Sequence, residues 1–229
     1  MNELELTGRA RTHVAELTDP KCALHRDAVA PFLAMRAAAA ADGIDLVPVS
    51  SFRDFDAQVR IWNDKFHGRR PLVARDGTEL RAAELAPAAL VDAILCWSAM
   101  PGASRHHWGT EIDVIDGLGV TPGTRVQLLP EEFTRGPFVR LDRWRSANLA
   151  RFGFFRPYTV DRGGVAPEPW HVSFASVAVP ALAGLTPQLL HATLRDSPVE
   201  GKEALLERSG EIHGRYVASV DRPAPGTFV

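Results

Sequence analysis

Apolar positions along the chain change period several times, and each change predicts an element. From His25 to Asp42 an Ala-rich stretch places Ala28, Phe32, Leu33, Met35 and Arg36 at helical spacing, and Gly43 follows as a C-terminal cap. Ile44, Leu46, Val47 and Val49 then form a short β-favouring run that ends in Ser50, Ser51, Phe52 and Arg53. Asp54 caps a predicted helix from Phe55 to Phe66. After a polar connection, Pro71 to Glu84, a second apolar helix runs from Pro87 to Trp97. Beyond the turn at Pro101 and Gly102, the alternation after Gly109 predicts a strand with Ile112 and Val114 facing the core and Glu111 and Asp113 sharing the other face. Phe138, Leu141, Trp144, Leu149 and Phe152 form a helical stripe that Gly153 ends, and its Arg residues read as a solvated face. Pro169 pushes Glu168 toward extended backbone, after which His171 and Ser173 alternate with Val172 and Phe174. From Leu185 onward the pattern predicts a helix, a charged helix and a strand from Ile212 to Val220. Mixed element types without repeats predict an α+β domain. Residues 1–184 read as that domain and 185–229 as an extension packed on it.

Composition narrows the function classes. In 229 residues, 26 Lys and Arg balance 28 Asp and Glu, so no bulk field favours nucleic acid or an anionic membrane. The apolar stretches around Pro87 to Trp97 and Phe174 to Leu185 are too short for a membrane span. Charged residues between Met1 and Pro20 leave no apolar signal region, so the chain as given reads as cytoplasmic; a trimmed signal or another export route would make it periplasmic. Cys22 and Cys96 fit neither a disulfide framework nor a thiolate metal site. Any metal must be held by His and carboxylate.

The stretch from Ser104 to Asp113 supplies those groups. A catalytic zinc ion takes three N or O ligands and leaves one position open. His106 and Asp113 offer two across the turn at Gly109, and His171 offers the third. Glu168, three residues upstream of His171, has the placement of a general base for metal-activated water. Adjacent His107 is an alternative ligand to His106, whereas His13, His25, His67, His191 and His213 fit no ligand spacing.

Ser-x-His-x-x-Gly-x-x-x-Asp followed by Glu-Pro-Trp-His resembles the zinc D-alanyl-D-alanine carboxypeptidases of the vancomycin-resistance type and their D,D-dipeptidase and L,D-carboxypeptidase relatives. Ser51, Phe52, Arg53, Asp54 and Gln58 are similar to that family's Ser-Gly-Tyr-Arg-Ser segment with its downstream Gln. Trp144, Asn148, Phe152, Gly153 and Phe154 resemble its Trp-x-x-x-Asn-x-x-x-Tyr-Gly-Phe helix end. The resemblance implies an antiparallel sheet with the site on one face and helices packed around it. It implies one Zn²⁺ per chain on His106, Asp113 and His171, with Glu168 as general base and acid and Arg53 stabilising the oxyanion. Ser104, assisted by Gln58, would hold the substrate's terminal region, and Trp170 would form a pocket wall. Two departures stand out. Glu111 replaces a small residue, with substrate binding, orientation of a ligand, or a place just outside the ligands as its possible roles. Val172, Ser173 and Phe174 stand where the family often has a basic and an aromatic residue.

The implied activity is removal of a C-terminal D-amino acid from a peptidoglycan-type stem peptide or its fragments by zinc-activated water. L,D-carboxypeptidase, D,D-dipeptidase and phage-type endopeptidase are alternatives within the same chemistry. A zinc-containing binding module without catalysis, as in the related Hedgehog signalling domain, is the rival from another class, and Glu168 argues against it.

Overall fold

Residues 1–123 and 126–228 are described by a computed structural model. In chain order its helices are α1 (Glu3–Leu6), α2 (Arg26–Ala41), α3 (Phe55–Phe66), α4 (Pro87–Leu95), α5 (Pro130–Thr134), α6 (Val139–Asn148), α7 (Ala175–Gly184), α8 (Pro187–Arg195), α9 (Lys202–Glu207) and α10 (Ser209–Ile212). The strands are β1 (Val14–Thr18), β2 (Lys21–His25), β3 (Leu46–Ser50), β4 (Leu72–Val73), β5 (Glu79–Leu80), β6 (Glu111–Asp116), β7 (Phe154–Phe155) and β8 (His171–Phe174).

The central sheet has the order β3-β6-β8-β7, with every neighbouring pair antiparallel. Pro48 is tolerated because β3 lies at the sheet edge, where a missing N–H removes no ladder bond on the open side. Alternation along β6 and β8 sends Ile112, Val114, Val172 and Phe174 into a core with Phe32 and Met35 of α2 and Leu141 and Trp144 of α6. The opposite face carries Glu111, Asp113, His171 and Ser173. All residues of β6 and β8 are buried, so the polar face is covered too. This is the expected α+β architecture.

A second core joins Phe55, Val59 and Trp62 of α3 and Leu90, Val91 and Ile94 of α4 to Leu190, Leu194, Leu205, Ile212 and Tyr216. The Trp62 Nε1–H also donates to the Glu200 carbonyl at 2.9 Å. Residues 185–217 therefore share their core with helices that build the site. No single helix among the described residues is long and apolar enough to cross a membrane. The bent pair α7 and α8 meets a length and composition criterion for a span, but buries Ala178, Ala181, Leu190 and Leu194 in this core.

Two expectations are corrected. Ile212 to Val220 contains no strand: α10 ends at Ile212 and a π-helical turn follows over His213–Val217. Ile212, Tyr216 and Val217 are buried at helical spacing, which overrides the β-favouring composition. Arg145 of α6 does not lie on a solvated face; it is fully buried. The β1–β2 hairpin, absent from the sequence reading, packs beside α2, with register Val14↔His25 to Thr18↔Lys21. In α3, by contrast, the Asp54 carboxylate accepts from the Ala57 N–H at 2.7 Å, as the cap predicts.

Candidate active site and metal centre

Strand register brings the site together. Ser50 pairs with Asp113, and Asp113 pairs with His171, so three neighbouring strands present these residues side by side. His106 arrives on a 3-10 turn, Arg105–Trp108, that reverses at Gly109 with φ +67°. A Cβ at Gly109 would lie 2.6 Å from the His25 backbone nitrogen, so only glycine lets the turn pass this close to β2. The Arg53 N–H donates to the His106 carbonyl at 3.1 Å, the His25 N–H to the Gly109 carbonyl at 2.8 Å, and the Trp108 Nε1–H to the Leu6 carbonyl at 3.1 Å. The turn is thereby tied to both flanking segments.

One donor atom each from His106, Asp113 and His171 lies within 4.8 Å of the others, and all three residues are buried. His106 Nδ1–H donates to the Ser51 carbonyl at 2.8 Å, which leaves Nε2 as the free donor, 3.5 Å from Asp113 Oδ2. His171 is anchored the opposite way. Its Nε2–H donates to Glu111 Oε2 at 2.7 Å, while Nδ1 faces Asp113 Oδ1 at 3.3 Å and Glu168 Oε2 at 3.1 Å. Asp113 Oδ1 is buried and makes no hydrogen bond. An orphaned carboxylate oxygen between two oriented imidazoles fits a divalent cation, and the set of two His and one Asp suits zinc.

The electrostatics agree with a site shaped for positive charge. Burial pushes the His106 imidazole down to about 3, so it stays neutral and its lone pair is available. Burial also acts on His171, but the negative carboxylates of Asp113, Glu111 and Glu168 that face it outweigh burial and raise its pKa well above the ordinary value. Burial raises Glu168, with the His171 hydrogen bond opposing.

The other expected residues take distinct places. Arg53, Ser104, Glu168 and Trp170 line a cavity of about 510 Å³ together with the three candidate ligands. Trp170 stacks on Trp97, their ring centres 6.4 Å apart, and forms its wall. Gln58 is fully buried and off the cavity wall, its Oε1 accepting from Arg53 Nη1 at 2.7 Å and its Nε2 donating to the Ala99 carbonyl at 2.7 Å. Together with Ser50 Oγ, 3.1 Å from Arg53 Nη2, it fixes the guanidinium.

Of the roles open to Glu111, its surroundings match orientation of a candidate ligand. Its fully buried carboxylate accepts from Thr110 Oγ1 at 2.9 Å, Ser173 Oγ at 2.7 Å and Arg105 Nη2 at 3.2 Å besides His171. Burial would raise it, but the Arg105 charge and the His171 bond hold it down at about 2. Ser173, one of the departures from the family pattern, is thus part of this support. His107 is spent elsewhere: Nδ1–H donates to the Arg53 carbonyl at 2.6 Å and Nε2 accepts from the Gly102 N–H at 3.2 Å.

Sequence reasoning missed three supports. Arg145 donates to the Trp170 carbonyl at 3.2 Å and to the Pro169 carbonyl, pinning the segment that carries Glu168 and His171. Arg105 sits behind Glu111, and Tyr158 packs edge-on against His171 with ring centres 5.2 Å apart. A buried guanidinium in a helix that also carries Arg140, Asp142 and Arg143 gives no local signal of its burial. Adjacency to His106 was the one available hint for Arg105.

Residues 21–177 match the profile of VanY, D-alanyl-D-alanine carboxypeptidase. A D-alanyl-D-alanine carboxypeptidase of Enterococcus faecalis is 29% identical over 144 residues, covering 61% of this chain and 44% of that protein. An uncharacterized protein of Haemophilus influenzae is 32% identical over 118 residues, half of this chain and 90% of its own length. Among solved structures, VanYB in complex with D-alanine-D-alanine superposes with a TM-score of 0.52 at 22% identity, covering 82% of this chain and 92% of that one. A variant of the vancomycin resistance D,D-pentapeptidase VanY in complex with Zn(II) gives a TM-score of 0.51 at 22% identity, covering 85% and 90%. These two share the fold, and the profile match extends over more than half of the sequence: the chain belongs to the VanY family of D-alanyl-D-alanine carboxypeptidases.

Proposed function

We propose that this chain is a zinc-dependent carboxypeptidase that removes a C-terminal D-amino acid from peptidoglycan-type stem peptides. The observation that carries the proposal is the convergence of His106, Asp113 and His171 at a cavity floor with Glu168 Oε2 3.1 Å from His171 Nδ1. D-alanine-D-alanine bound to a protein of the same fold supports the choice of substrate terminus.

His106, Asp113 and His171 would hold the zinc ion, which when bound supplies Lewis acidity toward the scissile carbonyl and the attacking water. Glu168 accepts the proton of that water as its oxygen attacks the carbonyl carbon, then delivers it to the departing amine as the C–N bond breaks. Arg53, held by Gln58 and Ser50, keeps its remaining N–H donors for the oxygen on which negative charge develops. Ser104, buried at the cavity wall, supplies a hydroxyl for the substrate's terminal region. Trp170 and Tyr158 confine the reacting groups.

Glu111 acts through His171. Glu111→Gln is expected to weaken zinc affinity about 10- to 100-fold, the usual cost of altering a group that orients a metal-bound histidine. A competitive chelator titration measures it, and unchanged affinity would refute the assignment.

Product analysis by mass spectrometry tests the function directly. The zinc-loaded protein is incubated with stem peptides ending in D,D, L,D and all-L residue pairs. Release of a single residue from D-terminated peptides alone is expected. Cleavage of internal bonds, or of none, would overturn the proposal.

A further inference from the structure

The cavity contains a cation that the mechanism above does not use. Lys65, in the last turn of α3, lines the same cavity as Arg53, Glu168 and the candidate ligands, on the helix that also holds Gln58. Lys65 is half-buried, and its ammonium makes no hydrogen bond or ion pair among the described residues. Neighbouring cations are committed to different degrees. Arg75 is tied to Asp161 at 2.7 Å and to the Gly164 carbonyl, and Arg53 donates to Gln58 and Ser50. Arg70 is exposed and holds Asp64 at 3.4 Å. Three carboxylates line the cavity: Asp113 and Glu168 face His171, and Glu131 forms no ion pair with Lys65 among the described residues.

Retaining an unpaired ammonium in a partly desolvated cavity costs free energy unless an anion completes it. We propose that Lys65 determines substrate specificity by pairing with a free carboxylate of the bound peptide. This inference rests on the peptidase reading of the site and names a group its substrate must carry. Two sources offer that chemistry: the terminal carboxylate of the residue to be released, and an acidic side chain further along the peptide. The α3 position also places a cation favourably at a helix C-terminus, but that role asks nothing of the substrate.

Burial pulls the Lys65 ammonium down to about 8. Among the groups facing it, Glu168 and Cys96 favour the charge, whereas Arg70 and Arg53 oppose it. The charge is therefore present below that pH and lost as pH rises through it, a signature that helix capping would not transmit to substrate affinity.

The test uses zinc-loaded full-length protein, wild type and the variants Lys65→Met and Lys65→Arg, with melting temperatures recorded for each. Substrates are D-alanyl-D-alanine-terminated peptides with and without an upstream Glu, each as free acid and as C-terminal amide. For Lys65→Met, KM is expected to rise about tenfold or more while kcat changes less than about twofold, because a charge-assisted contact made before the chemical step is lost. Lys65→Arg should recover most of the affinity. Wild-type KM should rise between pH 7 and pH 9.5 while KM of Lys65→Arg stays flatter, since guanidinium keeps its charge. A penalty on every free-acid peptide assigns the terminal carboxylate; a penalty confined to Glu-containing peptides assigns the side chain. Equal KM values for wild type and Lys65→Met across the panel would overturn the inference while leaving the peptidase reading intact. Failure of the wild type to cleave any peptide would overturn both.

Discussion

Exchange of Glu168 for Gln is expected to lower kcat by about 10² to 10⁴ while zinc stays bound, the range over which a positioned acid or base contributes to rate. The side chain lies beside His171 at the edge of the candidate ligand set, not within it. Burial raises the affinity of its carboxylate for a proton. A group that must take a proton and pass it on benefits from this shift, and an amide of the same size does neither. The measurement pairs kcat on a D-alanyl-D-alanine-terminated peptide with metal content by elemental mass spectrometry. Unchanged turnover would sink the proposed role; simultaneous loss of metal would move Glu168 into the ligand set.

The adjacent histidines should separate into two phenotypes. His106→Ala, like Asp113→Ala and His171→Ala, is expected to lose most bound zinc after dialysis, because each removes one of three donors. His107→Ala should retain zinc but lose about 2 to 4 kcal/mol of stability. It opens a cavity in a fully buried position and leaves the Gly102 N–H and the Arg53 carbonyl without their partner. In a chain of this length the melting temperature should fall by roughly 5 to 15 °C. Elemental analysis and calorimetry on the four variants distinguish these outcomes. Zinc retained in His106→Ala but absent from His107→Ala would reverse the ligand assignment.

Local pattern carried far in some segments. Asp54 announced the start of α3, and alternation from Glu111 to Val114 announced both the strand and the opposition of its faces. Such features depend on near neighbours, which a sequence lists in order. The candidate ligand residues were legible for a related reason: their chemical types are restricted, and His106 and Asp113 flank a single tight turn. The β1–β2 hairpin was not legible because neither strand alternates cleanly, and both are held in place by contacts with α2. At the other end, Ile212 to Val220 has β-favouring residues, yet the core with α3 and α4 rewards the helical arrangement that buries Ile212 and Tyr216 together.

Residue types and local periodicity set which groups the site could draw on and which short segments would carry them. Long-range contacts set the surroundings of each group. Glu111 lies two residues from Asp113 in the chain, but its work is set by His171, sixty positions away. His106 and His107 are chemically identical neighbours; Ser51 orients one ring toward Asp113, and the Arg53 carbonyl turns the other away. Lys65 reads as one more cation at a helix end until the fold brings it to the cavity that holds Glu168. Residue type and periodicity are local properties, whereas hydrogen-bond partners, burial and the resulting charge states depend on which distant segments meet.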